Sequence, residues 1–240
     1  MAHQYRFFGQ KDPSGAWRLE DDEAHHAIKV LRLSGGEVIE LVDGKGTVAT
    51  GRLVLESKSK AALSDVSEVF TPKDPFCRCI LLGALKPGDV DDLIAPIVEL
   101  GADKLIIFHQ ADTAQYRTSD SALERWQRLV RSAVKQSKRP WNVEIKHAGS
   151  LAAALDLTKD LSHHWILLPE AKDDLLSFLP GVTTGRGVAV LIGGEKGFTQ
   201  TEQDQALALG YKPVRLGPYV LRARTAAQAA AVFLGMMPRS

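Results

Sequence analysis

Residues 187–199 read GVAVLIGGEKGFT, a continuous apolar run followed by a loop with three glycines. A short apolar run without alternation is typical of a strand buried on both faces of a parallel sheet. Glycines let the backbone turn sharply and approach a ligand closely, so the loop predicts either a ligand cradle or an ordinary turn between strand and helix. Its glycine spacing matches neither the Walker loop nor the GxGxxG dinucleotide fingerprint. Thr199 or Thr201 is expected to cap a helix that begins near Glu202.

Similar apolar runs precede this strand, at residues 79–82, 104–108 and 165–168. A helix is expected between the first two, from about residue 91 to residue 101, and it must begin near Asp92 if Pro96 is to fall in its first turn. The alternation of strands and helices predicts an α/β fold with a mostly parallel sheet and helices on both faces. Ligands of such sheets bind beyond the carboxyl ends of the strands.

A second glycine-bearing loop, RLGPYVLR at residues 215–222, leads into an alanine-rich stretch at 225–234. The alanines favour a helix, and their small side chains permit close packing against another helix or another subunit. Both glycine-bearing loops are expected at strand ends, where they can face each other. The apolar face of the terminal helix, Ala226 to Leu234, has no other partner assigned and is the predicted interface if the chain forms an oligomer.

The first seventy residues carry a different pattern, one of β-strands joined by turns. Residues 37–42 and 51–56, separated by Asp43-Gly44, predict a hairpin, and residues 21–32 predict a short helix that begins with acidic side chains. Two prolines and mixed charge at residues 71–75 mark a boundary between domains. The prediction is therefore a small β-rich domain at residues 1–72 and a larger α/β domain at 73–240.

The charge balance, the apolar runs and the cysteines restrict the kinds of protein that this sequence can encode. The 240 residues carry 30 basic and 29 acidic side chains, so attraction to nucleic acid must come from a local patch and not from the net charge of +1. No apolar run approaches the length that a bilayer requires, and the start resembles no signal peptide, so an intracellular, cytoplasmic protein is expected. Cys77 and Cys79 lack a second pair of ligands nearby, which favours buried thiols over a metal site, and no metal is expected.

A local basic patch is predicted near residues 120–140. On a helical wheel, six cations fall within one arc, whereas Leu123, Trp126, Leu129, Val130 and Ala133 fill the opposite side. The cations are Arg125, Arg128, Arg131, Lys135, Lys138 and Arg139. Such a face is either simply solvated or a surface for phosphate groups. Few carboxylates stand three or four positions away, and this favours phosphate binding.

The order of these motifs resembles one known family. An IGxExGFT loop, an LGxxxLR loop about twenty residues later and a TA-rich terminal helix are similar to the C-terminal half of ribosomal RNA small subunit methyltransferase E. That family belongs to the SPOUT superfamily, so the resemblance implies a trefoil-knotted sheet, a PUA-like β-barrel before it, and S-adenosylmethionine as cofactor. It also implies methylation of uridine N3 in 16S ribosomal RNA, free or within the small ribosomal subunit, by a homodimer that forms through the knotted domain.

The resemblance also implies roles for individual residues. Arg222 would stabilise negative charge on the uracil, and Glu195 or a chain of water molecules would accept the proton from N3. RNA would be bound by the six cations of the basic patch and by Arg32 in the N-terminal domain. The cofactor would be held by Leu168, Gly193, Gly194, Gly197, Leu216, Gly217, Val220 and Leu221.

Five positions depart from the family pattern. Tyr219 stands where the family usually has arginine, Arg224 where it has glutamate, and Pro96 where it has lysine. In the first loop, Gly194 and Lys196 stand where the family usually has proline and glycine. The alternatives are therefore a relative that methylates another RNA position, such as a ribose in transfer RNA, and a non-catalytic RNA-binding or ribosome-assembly protein with the same fold.

Overall fold

The structure, a computed structural model, describes residues 5–110, 119–182 and 185–237. The chain forms two units. The barrel unit comprises Met1–Lys73 with Val134–Asn142, and the sheet unit comprises Asp74–Ala133 with Val143–Ser240. Residues 134–142 thus group with the barrel, whereas the predicted boundary assigned them to the second domain. The boundary between residues 72 and 73 stays a prediction.

The barrel unit is a closed five-stranded barrel in the order β1-β2-β5-β4-β3. The predicted hairpin is confirmed as the antiparallel pair β3–β4, in which Val42 lies opposite Val48. Inward-facing side chains such as Phe7, Ile39 and Leu41 fill its core. The strands are β1 Arg6–Lys11, β2 Trp17–Leu19, β3 Val38–Val42, β4 Thr47–Leu55 and β5 Ala61–Phe70, and helix α1, Asp21–His25, continues as a π-helical turn, His26–Val30.

The sheet unit contains six strands in the order β11-β9-β10-β6-β7-β8, and every pair of neighbours is parallel. This confirms the predicted α/β fold class, with a small β-barrel before a parallel sheet. The strands are β6 Cys77–Gly83, β7 Lys104–Phe108, β8 Glu144–Ala148, β9 His163–Leu167, β10 Gly187–Ile192 and β11 Lys212–Val214. The helices are α2 Pro87–Glu99, α3 Asp120–Gln136, α4 Leu151–Asp156, α5 Gln200–Ala208 and α6 Ala223–Gly235, with a 3-10 helix at Leu175–Gly181.

Strand β10 lies between β9 and β6, and all of its residues are buried. This explains its unbroken apolar sequence, because both of its faces pack against other elements. Strand β8, in contrast, was not predicted. It is an edge strand with the sequence Glu-Ile-Lys-His-Ala, and its polar residues hide the strand signal.

Helix α2 begins at Pro87, so the predicted start near Asp92 is wrong. Pro96 lies inside the helix, where it removes one backbone hydrogen bond. The helix continues through the proline because one face is buried, with Leu93, Ile94 and Ile97 all inaccessible to solvent. Burial of several large aliphatic side chains at about 1.5–3 kcal/mol each outweighs the cost of one interior proline, about 3 kcal/mol.

Helix α6 packs against α2, β6 and β10 of its own chain. Ala226, Ala227, Ala230 and Ala231 are buried there, and a Cβ at Gly235 would collide with the Leu100 carbonyl. The face predicted as a dimer interface is therefore covered within the chain, because the small side chains serve this close helix packing.

The thiols of Cys77 and Cys79 form no disulfide. Burial raises the pKa of the Cys79 thiol, which keeps it protonated and unreactive. Within residues 5–110, 119–182 and 185–237, no group of three or more histidine, cysteine, aspartate or glutamate side chains is arranged to hold a metal ion. None of the helices in these ranges is long and apolar enough to cross a membrane.

The imidazoles of His109 and His147 lie edge to face, with their ring centroids 4.6 Å apart. Burial, and then the charge of His109, lowers the pKa of His147. The unfolded chain therefore takes up this proton first as the pH falls, and folding stability is lost between the ordinary histidine pKa and the lowered one. We expect His147→Asn to show a smaller decrease in melting temperature than the wild type between about pH 7 and pH 5. Equal decreases, with exposed His25→Asn as control, would contradict this.

Candidate active site

A cavity of about 400 Å³ lies at the carboxyl ends of β9, β10 and β11. Three segments form it: the β9 loop (residues 168–170), the glycine loop (residues 193–198) and the second loop (residues 215–222). The two glycine-bearing loops thus face each other across one cavity. All eight residues predicted to hold the cofactor line it, namely Leu168, Gly193, Gly194, Gly197, Leu216, Gly217, Val220 and Leu221. Sequence reasoning missed the lining residues Pro169, Glu170, Lys196, Phe198, Gln203 and Arg215.

The glycine loop is held by Gln110, a buried side chain that follows β7. Its Oε1 accepts a hydrogen bond from the Gly194 amide at 2.7 Å, and its Nε2 donates to the Gly197 carbonyl at 2.9 Å. One amide group thereby fixes both ends of the tight turn. No motif in the sequence indicated this role, because the two partners are 84 and 87 residues away.

Close approach to Gln110 requires glycine at two positions. A Cβ at Gly83 would collide with Gln110 Oε1 and the Gly194 amide. A Cβ at Gly194 would lie 2.7 Å from the same Oε1 and 3.1 Å from the Ala84 carbonyl. The glycines therefore let the loop lie directly over the end of β6.

Thr199 caps α5, as predicted, and the helix begins at Gln200. Thr199 and Glu202 form a capping box, in which the Thr199 side chain accepts from the Glu202 amide and Glu202 Oε2 accepts from the Thr199 amide. Glu202 Oε2 also accepts a hydrogen bond from Gln110 Nε2 at 3.1 Å. The start of α5 is thus joined to the glycine loop through one carboxylate.

Arg215 anchors the second loop. Its Nε and Nη2 donate to the two carboxylate oxygens of Asp174, at 2.8 and 3.3 Å, and its amide donates to the Asp173 carbonyl at 2.9 Å. The hydrogen bond from Arg215 lowers the pKa of Asp174, so the pair stays ionised at neutral pH. These bonds fix where the second loop leaves β11.

Glu195 and Arg222, the two residues predicted to act on the substrate, line the cavity from opposite loops. A second cavity of about 390 Å³ adjoins it, lined by Leu85, Lys86, Asp89, Glu195, Arg222, Ala223 and Arg224. Glu195 and Arg222 therefore lie where the two cavities meet. The Lys86 ammonium lies 4.0 Å from the Glu195 carboxylate. The Arg222 guanidinium forms no hydrogen bond or ion pair with any residue that the structure describes, so it is available to a ligand.

Arg224, where the family pattern has glutamate, is part of an ion-pair cluster at the second cavity. Its guanidinium lies 2.8 Å from Asp89 and 3.4 Å from Asp92, two carboxylates in the first turns of α2. The cluster joins α2 to the first turn of α6. The positive charge at position 224 is therefore matched by negative charges on the facing helix.

We expect Arg224→Glu to lower the free energy of unfolding by about 1 kcal/mol, because it replaces an attraction by a repulsion between carboxylates at a partly exposed site. Adding Asp89→Lys should restore most of that loss. Denaturant unfolding of both single variants and the double variant measures the coupling. Strictly additive effects would show that the two charges do not interact.

The predicted basic helix is only partly correct. Trp126, Val130 and Ala133 are buried as expected, but α3 ends at Gln136, so Lys138 and Arg139 do not belong to a helix face. Lys138 instead adopts a left-handed conformation with φ of 56°. The sequence predicted a longer helix because Lys138 and Arg139 keep the helical spacing of the preceding cations.

The cations of α3 are also less free than the sequence indicated. Arg125 Nε lies 3.1 Å from Asp91, and the half-buried Lys135 Nζ lies 2.7 and 2.9 Å from the two oxygens of Glu23. Both carboxylates are remote in sequence, so they do not occur at the three- or four-residue spacing that pairs charges within one helix. Arg32, Arg128 and Lys138 are exposed and form no ion pair with any residue in the described ranges.

The chain matches two family models. Residues 72–235 match an RNA methyltransferase domain, and residues 19–65 match an RNA methyltransferase PUA domain. Ribosomal RNA small subunit methyltransferase E of Synechocystis sp. is 30% identical over 213 residues, which cover 87% of this chain and 69% of that protein. The Aquifex aeolicus protein of the same name is 25% identical, over 92% of this chain and 94% of its own length.

Solved structures share the architecture. Ribosomal RNA small subunit methyltransferase E from Neisseria gonorrhoeae, bound to S-adenosyl methionine, superposes with a TM-score of 0.79 at 26% identity, over 95% of both chains. A Legionella pneumophila protein crystallised with S-adenosylmethionine gives a TM-score of 0.85 at 22% identity, over 97% of both chains, and this likeness concerns the fold.

Proposed function

Because the chain belongs to the RNA methyltransferase family of ribosomal RNA small subunit methyltransferase E, we propose that it methylates N3 of a uridine in 16S ribosomal RNA with S-adenosylmethionine. One observation carries this proposal. A loop-lined cavity at the strand ends adjoins a second, charged cavity, and Glu195 and Arg222 lie at their junction. A methyl donor in the first and an acceptor base in the second would meet there.

The first cavity fits the cofactor in size and chemistry. Its volume of about 400 Å³ lies within the range of small-molecule sites. Gly193 and Gly194 present backbone without side chains, and Phe198 and Leu168 supply apolar walls. The residues that would hold the cofactor are the eight predicted ones: Leu168, Gly193, Gly194, Gly197, Leu216, Gly217, Val220 and Leu221. When bound, S-adenosylmethionine supplies an electrophilic methyl group on a sulfonium.

The charged residues at the junction have distinct tasks in this proposal. Uracil N3 must lose its proton before its lone pair can attack, and the Glu195 carboxylate is the acceptor. Arg222 then donates to a uracil carbonyl oxygen, on which negative charge develops. The Lys86 ammonium lies 4.0 Å from the Glu195 carboxylate, at the same junction of the two cavities.

RNA is held by cations outside the cavities. We assign this role to Arg32, Arg125, Arg128, Arg131, Lys135, Lys138 and Arg139. Arg32, Arg128 and Lys138 should contribute most, because they are exposed and form no ion pair with any described residue. An enzyme of ribosomal RNA works where ribosomes are made, which in bacteria is the cytoplasm.

A homodimer is the proposed working form. Tyr219 and Val220 of the second loop are 81% and 79% exposed, and Val232 of α6 and Met236, which follows the helix, are exposed as well. Such apolar exposure beside a ligand cavity is typical of a protein interface. Light scattering during size-exclusion chromatography measures the mass, and Val220→Asp with Val232→Asp should shift a dimer to the monomer.

The test of function is transfer of a labelled methyl group from S-adenosylmethionine to 16S ribosomal RNA and to small ribosomal subunits, followed by mass analysis of the nucleosides. We expect 3-methyluridine. Calorimetry with the cofactor alone is the parallel measurement. Cofactor binding with a methylated ribose would favour a relative of another specificity, and no binding would favour a non-catalytic RNA-binding protein.

A further inference from the structure

Two aromatic side chains lie side by side on the surface of the barrel unit. Phe70, the last residue of β5, is 62% exposed, and Trp141 is only partly buried. Their ring centroids are 6.4 Å apart and the rings are inclined at 70°. Exposed phenylalanine and tryptophan rings cost hydration free energy that a barrel core would recover, so their position outside the core needs an explanation.

The backbone holds this aromatic pair in place. Trp141 Nε1 donates to the Thr71 carbonyl at 2.8 Å, the Thr71 amide donates to the Gly46 carbonyl at 2.9 Å, and the Gly46 amide donates to the Pro140 carbonyl at 3.1 Å. Gly46 has φ of 106°, and a Cβ there would lie 2.7 Å from Trp141 and 2.9 Å from Phe70. Both rings thus rest directly on backbone, which orders them before any ligand binds.

Three lysines are neighbours of the aromatic pair in space or along the chain. Lys73 Nζ lies 5.6 Å from the centre of the Trp141 ring, and Lys45 is paired with Trp141 in an isolated β-bridge. Lys138 is exposed three residues before Trp141. None of these lysines forms an ion pair with a residue in the described parts of the chain. The nearby Asp43 carboxylate accepts hydrogen bonds from the Lys45 and Thr47 amides, so it is engaged by its own turn.

We propose that Phe70 and Trp141 stack against an unpaired base of the RNA substrate, while Lys45, Lys73 and Lys138 contact the adjacent phosphates. Aromatic rings interleaved with cations are the usual device for single-stranded RNA, whose splayed bases stack on side chains. A protein partner is less well matched, since lysine is depleted in protein interfaces. The inference rests on the proposed function in that it takes RNA as the substrate.

The structure provides a direct reporter for this contact. Trp17, Trp126 and Trp165 are each no more than 3% exposed, so Trp141 is the tryptophan that a bound base can reach. The probes are an oligouridylate of about twelve nucleotides, which spans a single-strand site, and a ribose-phosphate oligomer of equal length without bases. We expect the first to quench tryptophan emission and the second to leave it unchanged.

Variants separate stacking from phosphate contact. With a fluorescein-labelled oligouridylate, Phe70→Ala and Trp141→Ala should each weaken binding about tenfold, while Trp141→Phe should retain most of the affinity. Val69→Ala, an exposed neighbour on β5, is the matched control. Replacing all three lysines by alanine should reduce the slope of log affinity against log salt by about 2. Circular dichroism confirms that each variant is folded.

The inference is overturned if both oligomers bind alike without quenching, or if Phe70→Ala and Trp141→Ala, folded, bind as the wild type does. Methyl transfer and cofactor binding by the wild-type protein, measured separately, distinguish this outcome from failure of the proposed function. An enzyme that methylates 16S ribosomal RNA without quenching by the oligomer refutes only the aromatic contact. Quenching by the oligomer in a protein that transfers no methyl group refutes only the enzymatic function.

Discussion

Replacing Arg222 by alanine is expected to slow methyl transfer by about a hundredfold to a thousandfold, the loss typical of removing one donor that stabilises developing charge. Its guanidinium lies at the junction of the two cavities and has no other partner among the described residues. Cofactor affinity should change by less than about threefold, because in our proposal the cofactor is held mainly by the backbone of three loops. Single-turnover transfer to 16S ribosomal RNA measures the first effect, and calorimetry measures the second.

Two controls define what Arg222→Ala reports. Arg222→Lys keeps the charge but loses the planar pair of donors, and it should recover only part of the rate. Arg186→Ala removes an exposed arginine at the opposite, amino-terminal end of β10, and it should transfer methyl groups at the wild-type rate. A wild-type rate for Arg222→Ala would remove this residue from the mechanism.

Replacing Gln110 by leucine is expected to weaken S-adenosylmethionine binding by about tenfold to a hundredfold. The change keeps the volume of the side chain but leaves the buried Gly194 amide and the Gly197 carbonyl without their hydrogen bonds. A buried polar group without a hydrogen bond costs about 1–3 kcal/mol. The glycine loop of the variant would avoid this cost by moving out of the conformation that binds the ligand. The loss should appear in the KM for the cofactor, with kcat at saturation nearly unchanged.

The matched control for Gln110 is Gln200→Leu. Gln200 is an exposed glutamine at the start of α5 whose side-chain amide donates to Asp204, at 2.8 Å. It should bind the cofactor as the wild type does. If Gln110→Leu binds the cofactor within twofold of the wild type while remaining folded, the glycine loop does not depend on this side chain.

Features that depend on neighbouring residues were predictable from the sequence, whereas contacts between distant residues were not. The two glycine-bearing loops and the Thr199 cap were predictable, because a buried strand, a turn and a helix start each leave a signal within about ten residues. Gln110 was not, because its partners lie more than eighty residues away and glutamine carries no motif of its own. The order of the strands in the sheet likewise came only with the structure.

Charge proved harder to predict than fold. Lys135 looked free in the sequence, yet Glu23 neutralises it from the barrel's own helix. Arg224 looked like a departure from the family pattern, yet Asp89 and Asp92 match it across two helices. In both cases the partner is distant along the chain, so spacing rules that describe one helix could not find it.

Glu195 and Arg222 belong to the walls of both cavities, and this has a thermodynamic consequence. Two ligands that share a wall change each other's affinity, and the coupling free energy is the same in both directions. If the methyl donor tightens RNA binding by some factor, RNA must tighten donor binding by that factor. Methylation removes a charge from the donor and adds bulk to the base, so turnover alters both sides of this linkage at once.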